Sequence, residues 1–85
     1  MPLFTVICEY EGGTYIRQAR ANSGKAAVNK AVEQFEFLTE RARAKLAEKI
    51  KDEDLTPIEG MKNVWCTCGS TIRGLAIMHI VETAA

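Results

Sequence analysis

The residues of this chain whose types could do chemistry are three cysteines and a single histidine. Two of the cysteines, Cys66 and Cys68, stand one residue apart in "NVWCTCGSTIRGLAIMHIV", and His79 follows later in the same stretch. With Cys8 they would make a four-ligand set of the kind that suits tetrahedral zinc, and paired thiols are also the material of redox chemistry. The spacing argues against both. In a strand, residues i and i+2 share a face with Cα atoms about 6.5–7 Å apart, at or beyond the usual disulfide limit of about 6.8 Å. A C-x-C pair also lacks the turn by which C-x-x-C knuckles bring thiolates together on zinc. A nucleophilic thiol needs a base and an electropositive pocket; Arg17, expected opposite Cys8, supplies only part of one. His79, between Met78 and Ile80, reads as a half-buried structural histidine. The expectation is therefore no catalytic residue, no cofactor and no metal site. A thiol-metal (zinc) or redox protein stands as an alternative.

The elements that would position these residues are legible in the pattern. "LFTVICEY" is rich in β-formers, and Gly12-Gly13 suits a two-residue hairpin turn leading into "TYIRQARA". That turn pairs Tyr10 with Tyr15, Cys8 with Arg17 and Val6 with Ala19. One face then carries Phe4, Val6, Cys8, Tyr10, Tyr15, Ala19 and Ala21; the other carries Thr5, Ile7, Glu9, Ile16, Gln18 and Arg20. Ser23 is an N-cap candidate. Behind it Val28, Ala31, Phe35, Leu38, Ala42, Leu46 and Ile50 recur at intervals of three and four, the apolar stripe of an amphipathic helix.

Residues 24–51 as one helix would run about 42 Å, whereas an eight-residue strand covers only about 27 Å. Either the helix overhangs the sheet or it breaks near "FEFLTE", with Thr39 capping a second segment. "DEDLTPIEGMK" reads as a connector, with Pro57 ending helical continuation. "NVWCT" and "LAIMHIVE", separated by "CGSTIRG", then form a second hairpin. Residues 1–85 are expected to make a single α+β domain with the order ββαββ: a four-stranded antiparallel sheet with one long, breakable helix packed on one face.

Bulk properties narrow the function. A chain of 85 residues has room for one modest core and none for a deep cleft beside a cofactor domain. Eleven basic residues balance eleven acidic ones, so net charge supplies no general attraction to nucleic acid or anionic membrane. "MPLFTVICEYEGG" lacks the marks of a secretory signal, and "GLAIMHIV" falls short of the roughly 20 residues of a membrane span. An odd cysteine count cannot pair fully within one chain. The expected setting is cytoplasmic, with reduced thiols and no membrane.

"LAIMHIV" is apolar at both parities, which is the mark of a strand covered on both faces. A single helical layer covers only one. With Val64, Cys66 and Cys68 toward the helix, Trp65 and Thr67 would lie on the opposite face beside Met78 and Ile80. Those four residues are the expected partner-binding set, since an exposed apolar patch marks an interaction surface and tryptophan is enriched at binding hot spots. The competing arrangement has the second half of a broken helix fold round and cover that face. A nucleic-acid-binding module is a further alternative, with Arg17, Arg20 and Lys25 (and Lys30) as a basic stripe and Tyr15 for stacking, but Glu9, Glu11 and Glu33 dilute it.

At "EYEGGTYIRQARANS" and "GMKNVWCT" the chain resembles a family of small uncharacterised bacterial proteins that show an E-aromatic-x-G-G-T-Y start and a G-x-K-N-V-W-C segment. The resemblance implies a compact bacterial domain and no catalytic residues. The hairpin-then-helix start also loosely resembles antitoxin components of toxin–antitoxin pairs. The combined expectation is a non-enzymatic domain acting through protein–protein contact, as a homodimer or a regulatory partner.

Overall fold

The computed structural model describes residues 1–85. It opens with a hairpin, β1 (Leu3–Tyr10) and β2 (Gly13–Arg20), paired antiparallel. The turn is Glu11-Gly12 rather than Gly12-Gly13. Both turn residues have positive φ, 48° and 78°, as the two-residue turns that follow strand twist require. Gly13 instead opens β2 opposite Tyr10, so Cys8 faces Tyr15 and Val6 faces Arg17. The Tyr15 ring folds back over Gly13, whose Cβ, if present, would lie 2.7 Å from the Tyr15 hydroxyl. The register differs from the expected one by two residues. An even shift preserves side-chain parity, and the membership of each face is as expected.

The apolar stripe then folds as two helices, α1 (Gly24–Gln34) and α2 (Glu40–Asp52). Ser23 accepts from the Ala26 amide at 3.2 Å, and Thr39 accepts from the Ala42 amide at 3.1 Å. Each cap satisfies one of the free amides that a helix start leaves. No proline or glycine makes the break. It is made by "FEFL": Phe35 and Leu38 are buried, and the Phe37 ring stacks on Tyr15 with centroids 3.9 Å apart. Phe37 also lies 5.1 Å from Phe35 and 5.4 Å from Tyr10. The Phe35 carbonyl accepts from the Leu38 amide at 3.2 Å and also from Arg43 at 3.4 Å, so the end of α1 is tied to the corner and to α2.

After α2 the chain adds β3 (Thr56–Pro57), β4 (Val64–Thr71) and β5 (Gly74–Ala84). The antiparallel sheet has five strands in the order β2-β1-β5-β4-β3. This corrects the expected count of four. The extra strand is the two-residue β3 within the connector, where Pro57 pairs with Trp65 at a sheet edge, a position that tolerates the missing amide. The second hairpin also turns more tightly than expected: Cys68 to Thr71 belong to β4, and Ile72-Arg73 alone connect it to β5.

Both helices lie on the same face. Ala27, Val28, Ala31, Val32, Leu46 and Ile50 form one buried cluster with Phe4, Val6, Cys8 and Tyr10 of β1 and Ala76, Met78 and Ile80 of β5. The other face has no covering layer, so the second helix does not fold round to shield it. Gly69 of β4 lies beneath α2, where a Cβ would run into the Leu46 side chain. Gly69→Ala is expected to destabilise the fold by about 1–3 kcal/mol through overpacking, read by urea denaturation. An unchanged midpoint would mean that α2 does not press on β4 at this point.

Candidate functional site

The pairing of β1 with β5 decides which strand-5 residues are covered. Val6 lies opposite Ile80 and Cys8 opposite Met78, and residues directly opposite one another point to the same face. Because Val6 and Cys8 form the core, Ile80 and Met78 join them. β4 follows in step, with Trp65 opposite Ile80 and Thr67 opposite Met78. The four residues expected to meet a partner do share a face, but it is the helix-covered one. Met78 and Ile80 are fully buried, Trp65 is half-buried with its ring 6.3 Å from Phe4, and Thr67 is also half-buried. The expected assignment of faces is corrected accordingly.

The uncovered face is built of three cross-strand rows. One runs Ile16, Ile7, His79, Cys66; the next runs Gln18, Thr5, Val81, Val64; the third runs Thr14, Glu9, Ile77, Cys68. Leu75 lies beyond them, opposite Ser70. Ile16 and Leu75 are 53% and 50% exposed, and Ile7, Ile77 and Val81 are half-buried. Ile7, Ile16, Leu75, Ile77 and Val81 are thus a contiguous apolar surface. Gly69 carried the signal that would have identified the covered side: a glycine within a strand marks close approach from above, and Gly69 shares its parity with Thr67 and Trp65.

Cys66 and His79 are direct cross-strand neighbours, and Cys68 sits on the same face one row away. Cys8 lies on the opposite side of the sheet, so the four-ligand set is not brought together. Nowhere do three or more His, Cys, Asp or Glu side chains converge as metal ligands. Burial, reinforced by Glu9, pushes the Cys8 thiol up to about 11, which keeps it protonated and unreactive near neutral pH. Nor does Arg17 face Cys8, since it pairs with Val6. The space beside Cys66, Cys68 and His79 is an open groove of about 310 Å³ at the sheet rim.

Two residues of the expected basic stripe fall on opposite faces of the sheet. Arg17 is on the helix side of β2, its guanidinium 5.8 Å from the Phe35 ring centroid, whereas Arg20 is on the uncovered side. Lys25 lies 3.8 Å from Asp54. Arg17, Lys30 and Lys49 have another role, at the strand edges. The bond from the Ala21 amide to the Pro2 carbonyl sets the antiparallel alternation so that the Ile16 and Arg20 carbonyls point away from β1. Arg17 donates to the Ile16 carbonyl at 2.8 Å, and Lys30 donates to the Arg20 carbonyl at 2.6 Å. At the other rim Lys49 donates to the Cys68 carbonyl. Three of the outward acceptors that could template a further strand are thus occupied by cationic side chains, one of the ways in which sheets blunt their edges.

The residues of the two quoted sequence segments have structural work of their own. Gly12 and Gly13 shape the first turn, and Gly60 and Asn63 take positive φ, 79° and 61°, on the way into β4. Comparison with family models, curated proteins and solved structures finds no match to the chain.

The thiols should separate by reactivity. Native-state alkylation near pH 8 is expected to modify Cys68, then Cys66, and to leave Cys8 intact until the chain unfolds, as read by mass spectrometry. A folded-state thiol raised above its ordinary value of 9.0 stabilises the native state fully below that pH. Its contribution is lost as pH rises through about 11. The decline in stability between pH 9 and 11 should therefore be shallower in Cys8→Ala than in the parent chain.

Proposed function

We propose that this protein is a non-enzymatic docking domain that acts through protein–protein contact made by the uncovered face of its sheet. The observation that carries this reading is the apolar surface of Ile7, Ile16, Leu75, Ile77 and Val81, which the chain's own helices leave bare. Leaving that much aliphatic surface in water forgoes about 25 cal/mol for each Å² that burial would remove. Contiguous apolar patches of this kind mark interaction sites. The three occupied edge carbonyls support the same reading, because they disfavour addition of a strand at the rim and favour the face as the route to association.

The neighbouring polar groups fit such a surface. Thr5 and Gln18 are joined by a hydrogen bond of 3.0 Å, and Thr14, Glu9 and Ser70 complete a polar margin around the aliphatic centre. An apolar centre with a polar rim is the usual anatomy of a docking patch. Cys66 and His79 take part as contact residues in this scheme, without chemistry of their own.

Photo-crosslinking in cells that express the chain distinguishes this face from the helical one. A crosslinking residue at Leu75 or Ile16 is expected to give discrete protein adducts, and one at Arg41 or Lys45 on α2 is not. Leu75→Lys should leave the melting temperature of the isolated chain nearly unchanged, within the roughly 0.5 kcal/mol usual for exposed sites, while abolishing the Ile16 adducts. Absence of adducts from both face positions, or equal adducts from the helical positions, would remove the reading.

A further inference from the structure

Resting on the reading of the bare face as a docking surface, we infer that its occupant is a second copy of this chain, packed face to face about a two-fold axis. The first support is the layout of charge. Among the strand residues of that face, Glu9 is the one carboxylate and Arg20 the one guanidinium. Glu9 lies near the far end of β1, and Arg20 ends β2 opposite Leu3, at the other end of the strands. A two-fold axis lying in the interface and crossing the strands between Thr5 and Ile7 reverses position along the strands while keeping strand order. Under that operation Glu9 of each copy comes beside Arg20 of the other. A surface whose opposite charges exchange places under its own symmetry operation is complementary to itself, as an isologous contact requires.

The same operation sets unlike rows against each other. The row Ile16, Ile7, His79, Cys66 of one copy meets Gln18, Thr5, Val81, Val64 of the other. Each bulky aliphatic or imidazole side chain then faces a smaller or more flexible one, and His79 meets Val81 instead of a second His79. No like charges come into opposition. Two twisted sheets stacked in this way give an aligned sandwich with strands crossing at about 30°, and the second copy supplies the missing outer layer of an antiparallel sheet.

Size is the second support. Four full strands at about 4.8 Å spacing, each at least about 26 Å long, present a face of about 500 Å² in projection before side-chain relief is added. That approaches the roughly 800 Å² per partner buried in stable pairwise interfaces. The face is large enough for one partner of its own dimensions.

Sedimentation equilibrium of the full chain between about 1 and 200 μM, the weaker part of the affinity range such an area supports, tests the inference. The expected species is a dimer of the 9.4 kDa chain. Glu9→Arg and Arg20→Glu should each weaken it at least tenfold, since every reversal places two like-charged contacts in the pair. The double variant Glu9→Arg with Arg20→Glu should return to within about threefold of the parent, a recovery that general surface damage cannot produce. Circular dichroism melting keeps folding defects separate. A monomer at every concentration, a dimer indifferent to Ile16→Lys in the row beside the two-fold axis, or a double variant as weak as the singles would overturn the inference. A monomer whose Leu75 crosslinks to a different protein would overturn the second-copy assignment alone and leave the docking face standing.

Discussion

The aromatic corner between the two helices is the constraint on which the rest of the structure depends. Phe35, Phe37 and Leu38 stand where one long amphipathic helix would otherwise continue, and Phe37 is held in a stack on Tyr15. Phe35 and Leu38 are buried there and Phe37 is half-buried against the tyrosines of the first hairpin, contacts that offset the helical hydrogen bonds lost at the break. Aromatic pairing adds about 0.5–1.5 kcal/mol per contact beyond area burial, and Thr39 restarts the helix with a side-chain cap. The rod becomes two short helices that both fit within the length of the strands.

One-sidedness follows directly from that corner. Because it turns α2 back over β4 instead of around the rim, every helical apolar residue is committed to the same sheet face. Gly69 lets α2 approach closely there. The opposite face keeps its aliphatic rows and receives no cover. The three cationic side chains on outward carbonyls complete the arrangement, leaving a molecule with blunted edges and one bare side. Four of its cations serve packing and edges: Arg17 lies over Phe35, Lys30 and Lys49 occupy strand carbonyls, and Arg43 shares the Phe35 carbonyl with the Leu38 amide.

The cysteines follow the same geometry. Cys8 packs as a small apolar side chain in the core, and its raised pKa is a consequence of that burial. Cys66 and Cys68 share the bare face because a strand alternates. Cross-strand pairing then brings His79 beside Cys66, a proximity that the sheet's register imposes without assembling a metal-ligand set.

Local rules determined much of this protein from its sequence alone. Alternation in "LFTVICEY" fixed which hairpin residues share a face, and an even register shift could not change that membership. Ser23 and Thr39 marked both helix starts, because capping depends on near neighbours in the chain. The apolar stripe from Val28 to Ile50 named residues that are buried whether or not the helix broke, all but Ala42, which is half-buried. What tertiary structure decided was the relation between distant segments. A strand as apolar as "LAIMHIV" on both parities does not say which parity is core; only its pairing with β1, Val6 opposite Ile80, does so. That pairing put Trp65, Thr67, Met78 and Ile80 under the helices and left Ile77, His79 and Val81 bare. The two-residue β3 was equally invisible, since its pairing depends on a loop closing against a strand, and periodicity holds no record of contacts made across the sheet.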